Sequence, residues 1–156
     1  MTSHANRDLF IKMLTALGTK DFDTFEACLA EDVLLEWPFP VMEGFPLEQR
    51  GAHWFRDILE ISWRDYDPYA YRIEVIHDMA TDDMLVAEYS SHSRYLPTDM
   101  PYSNRYVSIL EFSGGRISRW REYLNPQVIA QLLGAQAEWS GAIGGPVGAV
   151  GSAPAA

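Results

Sequence analysis

Residues 114–126 place a carboxylate beside a large aromatic side chain on a predicted strand. Their sequence is GGRISRWREYLNP. The Gly-Gly turn begins the strand, and Pro126 ends it because proline cannot donate the next ladder hydrogen bond. Alternate side chains of a strand point to opposite faces. We therefore expect Ser118, Trp120 and Glu122 to share one face.

Glu122 could perform acid–base chemistry if its face of the strand borders an enclosed apolar cavity. Loss of water around a carboxylate disfavours the charged form and raises the pKa toward neutrality. A carboxyl group with such a pKa can accept and donate a proton near pH 7. The alternative is a structural ion pair with Arg105, Arg119 or Arg121.

Further polar candidates lie on the two strands that precede Glu122 in the chain. Asn104, Tyr106 and Ser108 alternate on one of them, and antiparallel pairing keeps such faces together. Glu88 and His92 alternate on the other strand and could reach the same side. The result would be an apolar cleft with a few convergent polar groups. Core aromatics and a solvated strand end are the simpler explanations for Tyr106, Trp120 and His92.

Aromatic residues are predicted to line the cavity wall and its mouth. Trp37 and Phe39 stand where a short strand gives way to a loop rich in Pro and Gly. Trp54 lies on a predicted helix that can cross the sheet. With Trp120, these residues would surround a small apolar or aromatic molecule, which is the partner we expect.

Motifs for metals, nucleotides and nucleophilic serine are absent from the sequence. There is no paired cysteine, no H-x-x-x-H, no G-x-G-x-x-G, no P-loop and no G-x-S-x-G. We therefore predict no metal and no cofactor. The classes of function that remain are acid–base catalysis and binding without catalysis.

The elements that must position these residues follow an α, α, β, α, then four-strand order. Helices are predicted over residues 4–18, from Asp21 through Leu29, over 52–63 and from Pro126; strands are predicted over 33–37, 71–76, 85–95, 102–112 and 116–124. This order predicts an α+β fold in which helices pack on one face of a curved antiparallel sheet.

Composition restricts the class of protein further. The 156 residues carry a net charge of −10, which repels nucleic acid and anionic lipid. There is no apolar run of spanning length, no signal-peptide pattern and one cysteine, Cys28, so we expect a cytoplasmic protein. We predict a single domain over residues 1–136. Residues 137–156 form a Gly/Ala/Pro-rich tail, expected to be disordered or loosely packed, or else to cover a pocket or partner.

The order of elements and several local motifs resemble the nuclear-transport-factor-2-like superfamily, in particular its SnoaL-like branch. The motifs are YSNRYV at residues 102–107, GRI at 115–117, REYLNP at 121–126, and Arg50-Gly51 before the third helix. They are most similar to those of the phenazine-biosynthesis A/B-type proteins. The resemblance spans roughly residues 5–135 and implies a cone-shaped domain whose curved sheet holds helices on its concave face.

The resemblance also implies roles for single residues. The glutamate of the R-E-[FY]-x-N-P motif projects into the cavity of the phenazine-type proteins as an acid–base group, which implies that role for Glu122. Their pocket histidine corresponds to Ile58 here. The catalytic carboxylates of the steroid isomerases of this fold correspond to positions near Trp37 and Ser108. The Arg-x-Asp pair of the epoxide hydrolases corresponds to residues 105–107.

We therefore predict an enzyme in which Glu122 is the general acid or base for a small, largely apolar carbonyl-containing or cyclic substrate. Tyr106 and Asn104 would donate hydrogen bonds to a developing oxyanion. One alternative is a non-catalytic protein that binds a hydrophobic small molecule. A further alternative is epoxide-hydrolase-like activity.

The opposite face of the sheet is predicted to form a homodimer interface. It would present Val107, Ile109, Ile117 and Tyr123, an aliphatic and aromatic surface unusual for a sheet face in water. Arg119 or Arg121 would pair with Glu111 across the twofold axis. The resemblance implies the same, since many SnoaL-like domains dimerise through this face. Alternatively, the tail with Trp139 and Ile143 folds over the patch within one chain.

Overall fold

A six-stranded sheet with helices on one face forms the body of the protein. The computed structural model describes residues 3–134, 138–139 and 146–147. The helices are α1 (Ser3–Gly18), α2 (Phe22–Ala27), α3 (Ala52–Ser62) and α4 (Pro126–Leu133), with a 3-10 turn at Trp63–Asp65. The strands are β1 (Leu29–Glu36), β2 (Glu48–Arg50), β3 (Tyr66–Asp78), β4 (Met84–Tyr95), β5 (Met100–Ser113), β6 (Arg116–Leu124), β7 (Glu138–Trp139) and β8 (Pro146–Val147).

The strand order in the large sheet is β2-β1-β6-β5-β4-β3. Strands β3 to β6 form the predicted antiparallel meander, while β1 pairs with β6 in parallel. The sheet curves without closing, and the helices cover its inner face. The α+β prediction is confirmed, with one parallel strand pair that the sequence pattern did not indicate.

Local sequence signals fix the ends of three helices. The Asp21 carboxylate accepts a hydrogen bond from the backbone N–H of Thr24 at the start of α2, at 3.1 Å. Gly51 precedes α3 with φ of 113°, a conformation that side chains disfavour. Asn125 accepts from the Gln127 N–H at 3.0 Å and Pro126 occupies the first turn, so α4 begins where predicted.

The first strand begins earlier than predicted. The helical spacing places Leu29 in the second helix, but in the structure it opens β1 and pairs with Ile117. The N–H of Ile117 donates to the carbonyl of Cys28 at 3.0 Å, so β6 supplies the strand partner. Pairing between distant segments overrides local helical periodicity here. Strand β2 lies in the segment predicted as a loop.

A β-bulge at Ser118 changes which side chains of β6 face inward. Glu111 of β5 pairs with Arg119, whereas Phe112 pairs with Ile117, so Ser118 is an extra residue. The predicted shared face of Ser118, Trp120 and Glu122 is therefore wrong for Ser118. Ile117 is completely buried rather than part of an outer patch.

The core lies between the helices and the inner face of the sheet. Its completely buried side chains include Phe10 and Met13 of α1, Phe25 of α2 and Leu110 of β5. Cys28 is buried with them, and this burial raises the pKa of its thiol. None of the helices in the described residues has the length and apolarity needed to cross a bilayer. The predictions for the tail fall largely outside the described residues, which show only β7 paired with β8.

Candidate active site

A cavity of about 210 Å³ opens between the helices and the inner face of the sheet. Apolar side chains of α1 and α3 cover one side, among them Leu14, Ile58 and Leu59. The opposite side is the sheet, which contributes mainly tyrosine and tryptophan. The described lining residues include no lysine, arginine or histidine. Any charge inside this cavity therefore lacks a cationic partner among them.

Glu122 projects from β6 into this cavity. The residue is half-buried and lines the cavity. Burial raises the pKa of Glu122 to about 7, while hydrogen bonds from Tyr89 and Trp37 act in the opposite direction. A carboxyl group in this state exchanges a proton readily near neutral pH.

The arginines considered as ion-pair partners of Glu122 lie on the other face of the sheet. Arg119 donates to Glu36 at 2.6 Å and to Glu111 at 2.9 Å, and Arg121 reaches Glu36 at 3.2 Å. Hydrogen bonds from Arg119, offset in part by burial, lower the pKa of Glu36. Glu122 forms no ion pair within the described residues.

A directed chain of hydrogen bonds ends on Glu122. The indole N–H of Trp120 can only donate, and it donates to Ser108 Oγ at 2.8 Å. The Tyr89 hydroxyl donates to Glu122 Oε2 at 2.5 Å, so the 2.8 Å contact between Ser108 and Tyr89 must use the Ser108 proton. Each hydroxyl thus accepts from one neighbour and donates to the next. The chain orients Tyr89 as a neutral donor to the carboxylate.

A second group of hydroxyls lies in the tyrosine-rich part of the cavity. Tyr106 contacts Ser91 Oγ at 2.7 Å and the Tyr102 hydroxyl at 3.3 Å. Burial raises the pKa values of Tyr69 and Tyr106 well above 10 and raises that of Tyr102. These phenols are neutral at physiological pH and act as hydrogen-bond donors or acceptors.

The structure brings together several of the predicted site residues. Trp37, Ile58, Tyr106, Trp120 and Glu122 all line the cavity. Ser108 is completely buried beside Tyr89 and serves the hydrogen-bond chain instead of the cavity surface.

Asn104 lies outside the cavity lining. Its Nδ2 donates to the backbone carbonyl of Asn125 at 3.1 Å, and its Oδ1 accepts from the Asn125 and Arg105 N–H groups. These contacts connect β5 to the beginning of α4. The Asn104 amide also donates a longer hydrogen bond, at 3.4 Å, to the hydroxyl of Tyr102, so it reaches the cavity through that residue and not directly.

Four other predicted site residues lie elsewhere. Phe39 is 59% exposed and contacts Tyr123 on the outer face. Trp54 packs on Trp37 from outside the lining. Glu88 and His92 are exposed on the outer face of the sheet.

Glu88 and His92 lie on the outer face because the other set of alternate side chains of β4 faces the cavity. Ala87, Tyr89 and Ser91 face inward, so Glu88 pairs with His77 at 2.9 Å on the other side and His92 contacts Ser103. The expectation that Glu88 and His92 reach the cavity side is therefore wrong.

Sequence reasoning missed several tyrosines of the site. Tyr89 of β4 and Tyr69 and Tyr71 of β3 all line the cavity. Part of a signal was present for Tyr89, since Ala87 and Tyr89 are apolar while Glu88 and Ser90 are polar, but Val86 and Ser91 break the alternation on either side. The β3 pair lay at or before the predicted beginning of that strand.

Within the described residues, no group of three His, Cys, Asp or Glu side chains has the arrangement of a metal site.

Comparison with known proteins adds a family and a fold. A model of the SnoaL-like domain matches residues 10–120. The uncharacterized protein YesE of Bacillus subtilis is 26% identical over 123 residues, covering 79% of this chain and 83% of YesE. A Bacillus subtilis structure provisionally named an isomerase superposes with TM-score 0.76 at 22% identity, covering 84% of this chain and 94% of that chain. A phenazine biosynthesis-related protein of Pseudomonas aeruginosa superposes with TM-score 0.68 at 19% identity, covering 83% and 80%.

Proposed function

The chain belongs to the SnoaL-like domain family, and from this premise we propose that it is a cofactor-independent enzyme with Glu122 as its general acid and base. The resemblance to the SnoaL-like branch is confirmed by the family match over residues 10–120 and by the fold. The proposed substrate is a small, largely apolar carbonyl-containing or cyclic molecule. The reaction would be an isomerisation, a cyclisation or a dehydration.

The observation that carries this proposal is a carboxyl group enclosed with neutral hydrogen-bond partners. A cation beside Glu122 would hold its pKa low and make it a weak base. Among the described residues, its hydrogen-bond partners are Tyr89 and Trp37, and the pKa is about 7. This lies near the optimum for proton transfer at neutral pH.

With neutral partners, Glu122 can remove a proton from a substrate carbon. Ionised Glu122 takes a proton from a carbon next to a carbonyl group, and the bonding electrons move into the carbonyl to form an enolate. Return of the proton to another carbon isomerises the substrate. Alternatively, the enolate carbon attacks a second carbonyl and closes a ring, and protonated Glu122 gives its proton to the alkoxide that forms. The apolar walls contributed by α1 and α3 keep water away from the enolate.

Turnover of candidate carbonyl substrates by the wild type and by Glu122→Gln tests the proposal. Loss of a positioned acid–base group is expected to lower kcat by about 10²- to 10⁴-fold. Glu31→Gln removes an exposed carboxylate of β1 and is the matched control. Equal rates for wild type and Glu122→Gln would contradict the assignment.

A second candidate function is binding without catalysis. The aromatic cavity supports it, because such walls hold an apolar molecule whether or not Glu122 reacts. A binding protein would retain both affinity and biological effect in Glu122→Gln, whereas an enzyme would retain affinity and lose rate.

Epoxide hydrolysis would use Glu122 to deprotonate water. Carbonyl chemistry is preferred because the exposed Arg105 lies on the outer face of β5, so no arginine–carboxylate set joins Glu122 among the described lining residues.

We also propose that the chain forms a homodimer through an outer patch, defined as Phe39, Val86, Val107, Ile109 and Tyr123. Register places Val86 beside Ile109 and Val107 beside Tyr123, and Phe39 packs on Tyr123. The predicted pairing of Arg119 or Arg121 with Glu111 across the axis is not required, since Arg119 already binds Glu111 within the chain. The cytoplasmic location stays a prediction.

A further inference from the structure

Tyr71 of β3 lines the cavity beside Tyr89, the hydrogen-bond donor to Glu122. Its ring is fixed between aromatic neighbours, with centroid distances of 5.2 Å to Tyr69, 6.0 Å to Tyr89 and 6.3 Å to Tyr106. Gly18 at the end of α1 lies against the same ring, and a methyl group there would meet it at 3.5 Å. The position of the Tyr71 side chain is therefore set by packing.

The Tyr71 hydroxyl lines the cavity and has no hydrogen-bond partner among the described residues. The hydroxyls of Tyr66 and Tyr95 share this property, and of the three it is Tyr71 whose ring contacts Tyr89 beside Glu122. Tyr89 donates to Glu122, and Tyr106 is bonded to Ser91. Because this hydroxyl borders the cavity without a protein partner, it is available to donate a hydrogen bond to an acceptor atom of a ligand there.

The chemistry of that acceptor is restricted by its surroundings. Burial raises the pKa of Tyr71 well above 10, so the hydroxyl is a neutral donor. The described lining offers Glu122 and Asp65 but no cationic side chain. A carboxylate or phosphate ligand would lie unpaired in a cavity that already holds a carboxyl group. An uncharged oxygen meets no such penalty.

We propose that Tyr71 donates a hydrogen bond to the carbonyl oxygen of the substrate, and that the cavity selects uncharged ketones over carboxylates. The catalytic part of this inference rests on the function proposed for Glu122. When Glu122 removes the proton next to the carbonyl, the oxygen gains negative charge and its hydrogen bond to Tyr71 strengthens. Tyr71 then takes the place that the sequence had suggested for Tyr106 and Asn104.

A matched pair of ligands tests the hydrogen bond without any need for turnover. 2-Acetylnaphthalene carries the carbonyl acceptor, and 2-ethylnaphthalene has nearly the same shape without it. Binding of each to the full chain is measured by quenching of tryptophan fluorescence at pH 9. At this pH Glu122 is ionised, because its pKa is about 7, and it has no proton to donate.

The quantity compared is the ratio of the hydrocarbon Kd to the ketone Kd. Loss of one hydrogen bond in Tyr71→Phe is expected to lower this ratio by about 5- to 10-fold. The hydrocarbon Kd should not change, which shows that the variant is folded. The carbonyl stretching frequency of bound ketone should rise toward its value in an apolar solvent.

An unchanged ratio in Tyr71→Phe overturns the proposal, as does failure of the wild type to bind the ketone below about 1 mM. A ratio that falls in Tyr106→Phe but not in Tyr71→Phe also overturns it, because the donor is then Tyr106. Naphthalene-2-carboxylate should bind more weakly than the ketone, and tighter binding contradicts the selection for uncharged ligands. If Glu122→Gln keeps full turnover while the ratio falls in Tyr71→Phe, the proposed catalysis fails and the binding role of Tyr71 stands.

Discussion

At the scale of single residues, the pKa of Glu122 reflects a balance between burial and neutral donors. Burial raises the pKa, and the hydrogen bonds from Tyr89 and Trp37 limit the rise to about 7. These donors stabilise the carboxylate without supplying a charge. Each donor thus lowers the pH above which Glu122 is ionised and can accept a proton.

Replacing Tyr89 with phenylalanine should raise the pKa of Glu122 further. The hydroxyl donates to the charged form, so its loss is expected to move the pKa upward by roughly one pH unit. Carbon-13 NMR of the Glu122 carboxyl group across pH 4–10 measures the change directly. Tyr123→Phe on the outer face is the control. A pKa in Tyr89→Phe that matches the wild type would show that the hydrogen bond does not tune Glu122.

The same residue makes the stability of the protein depend on pH. The pKa of Glu122 is raised from 4.5 to about 7, so between these values the folded state binds more protons than the unfolded state. The free energy of unfolding therefore falls as pH rises from about 4.5 to 7. The loss approaches about 3 kcal/mol above pH 7, taken as an upper value.

Glu122→Gln should abolish this dependence because glutamine does not titrate. The quantity to follow is the free energy of unfolding of the variant minus that of the wild type. This difference is expected to be larger at pH 8 than at pH 4 by up to about 3 kcal/mol. Urea unfolding at a series of pH values measures it, with Glu31→Gln as the exposed control. A difference that stays constant from pH 4 to pH 8 would mean that Glu122 titrates as it does in the unfolded chain.

At the scale of elements, Asn104 is expected to stabilise the junction of β5 and α4. The side chain is 3% exposed and satisfies both backbone groups of Asn125. Asn104→Ala leaves these groups without their partner, and we expect a loss of about 2 kcal/mol in the free energy of unfolding. Urea unfolding measures the loss. Ser103→Ala, on the exposed side of the same strand, should change stability by less than about 0.5 kcal/mol.

This variant also separates an anchoring role from the oxyanion role predicted by sequence. An anchoring Asn104 affects the cavity indirectly, through α4, whose Ile129 and Leu133 line it, and through the Tyr102 hydroxyl. A direct donor to the substrate would instead lower kcat without lowering stability. A strong loss of kcat in a fully stable Asn104→Ala protein would contradict the anchoring role.

The sequence predicted the elements where side-chain alternation was unambiguous. On β5, Tyr102, Asn104, Tyr106, Ser108 and Leu110 alternate with more exposed residues as expected. On β4 the two faces differ less, because serine and histidine interrupt both sets, and the wrong phase placed Glu88 and His92 at the cavity. Polarity alone cannot settle the phase of such a strand.

Other features depended on distant parts of the chain. The bulge at Ser118 follows from the register between β5 and β6, and the early beginning of β1 follows from its pairing with β6. Neither has a local sequence signal. The Tyr89–Ser108–Trp120 hydrogen bonds likewise join residues on three strands. Glu122 could still be singled out because its strand, its aromatic neighbour and its motif lie within residues 114–126.

At the scale of the whole molecule, the two faces of the sheet are unequally covered. The helices and the cavity occupy the inner face, and the described residues place no element over the outer patch. Phe39 is 59% and Val107 is 37% exposed within this patch. Glu36 beside the patch is paired with Arg119 and Arg121, whereas no ion pair holds Arg105 of the same face among the described residues. The patch therefore offers apolar contact, with the Glu36 side already neutralised.

A twofold dimer would bury the outer patch of both chains. A charged side chain introduced in the patch should separate the two chains. Val107→Glu brings two carboxylates together across the axis in an apolar contact, and we expect the variant to sediment as a monomer at micromolar concentrations where the wild type is a dimer. Ile11→Glu, at an exposed position of α1, is the matched control and should remain dimeric. Deletion of residues 137–156 tests the alternative in which the tail covers the patch. A truncated chain that is still dimeric supports the sheet interface. A full-length wild type that sediments as a monomer rules out the sheet interface.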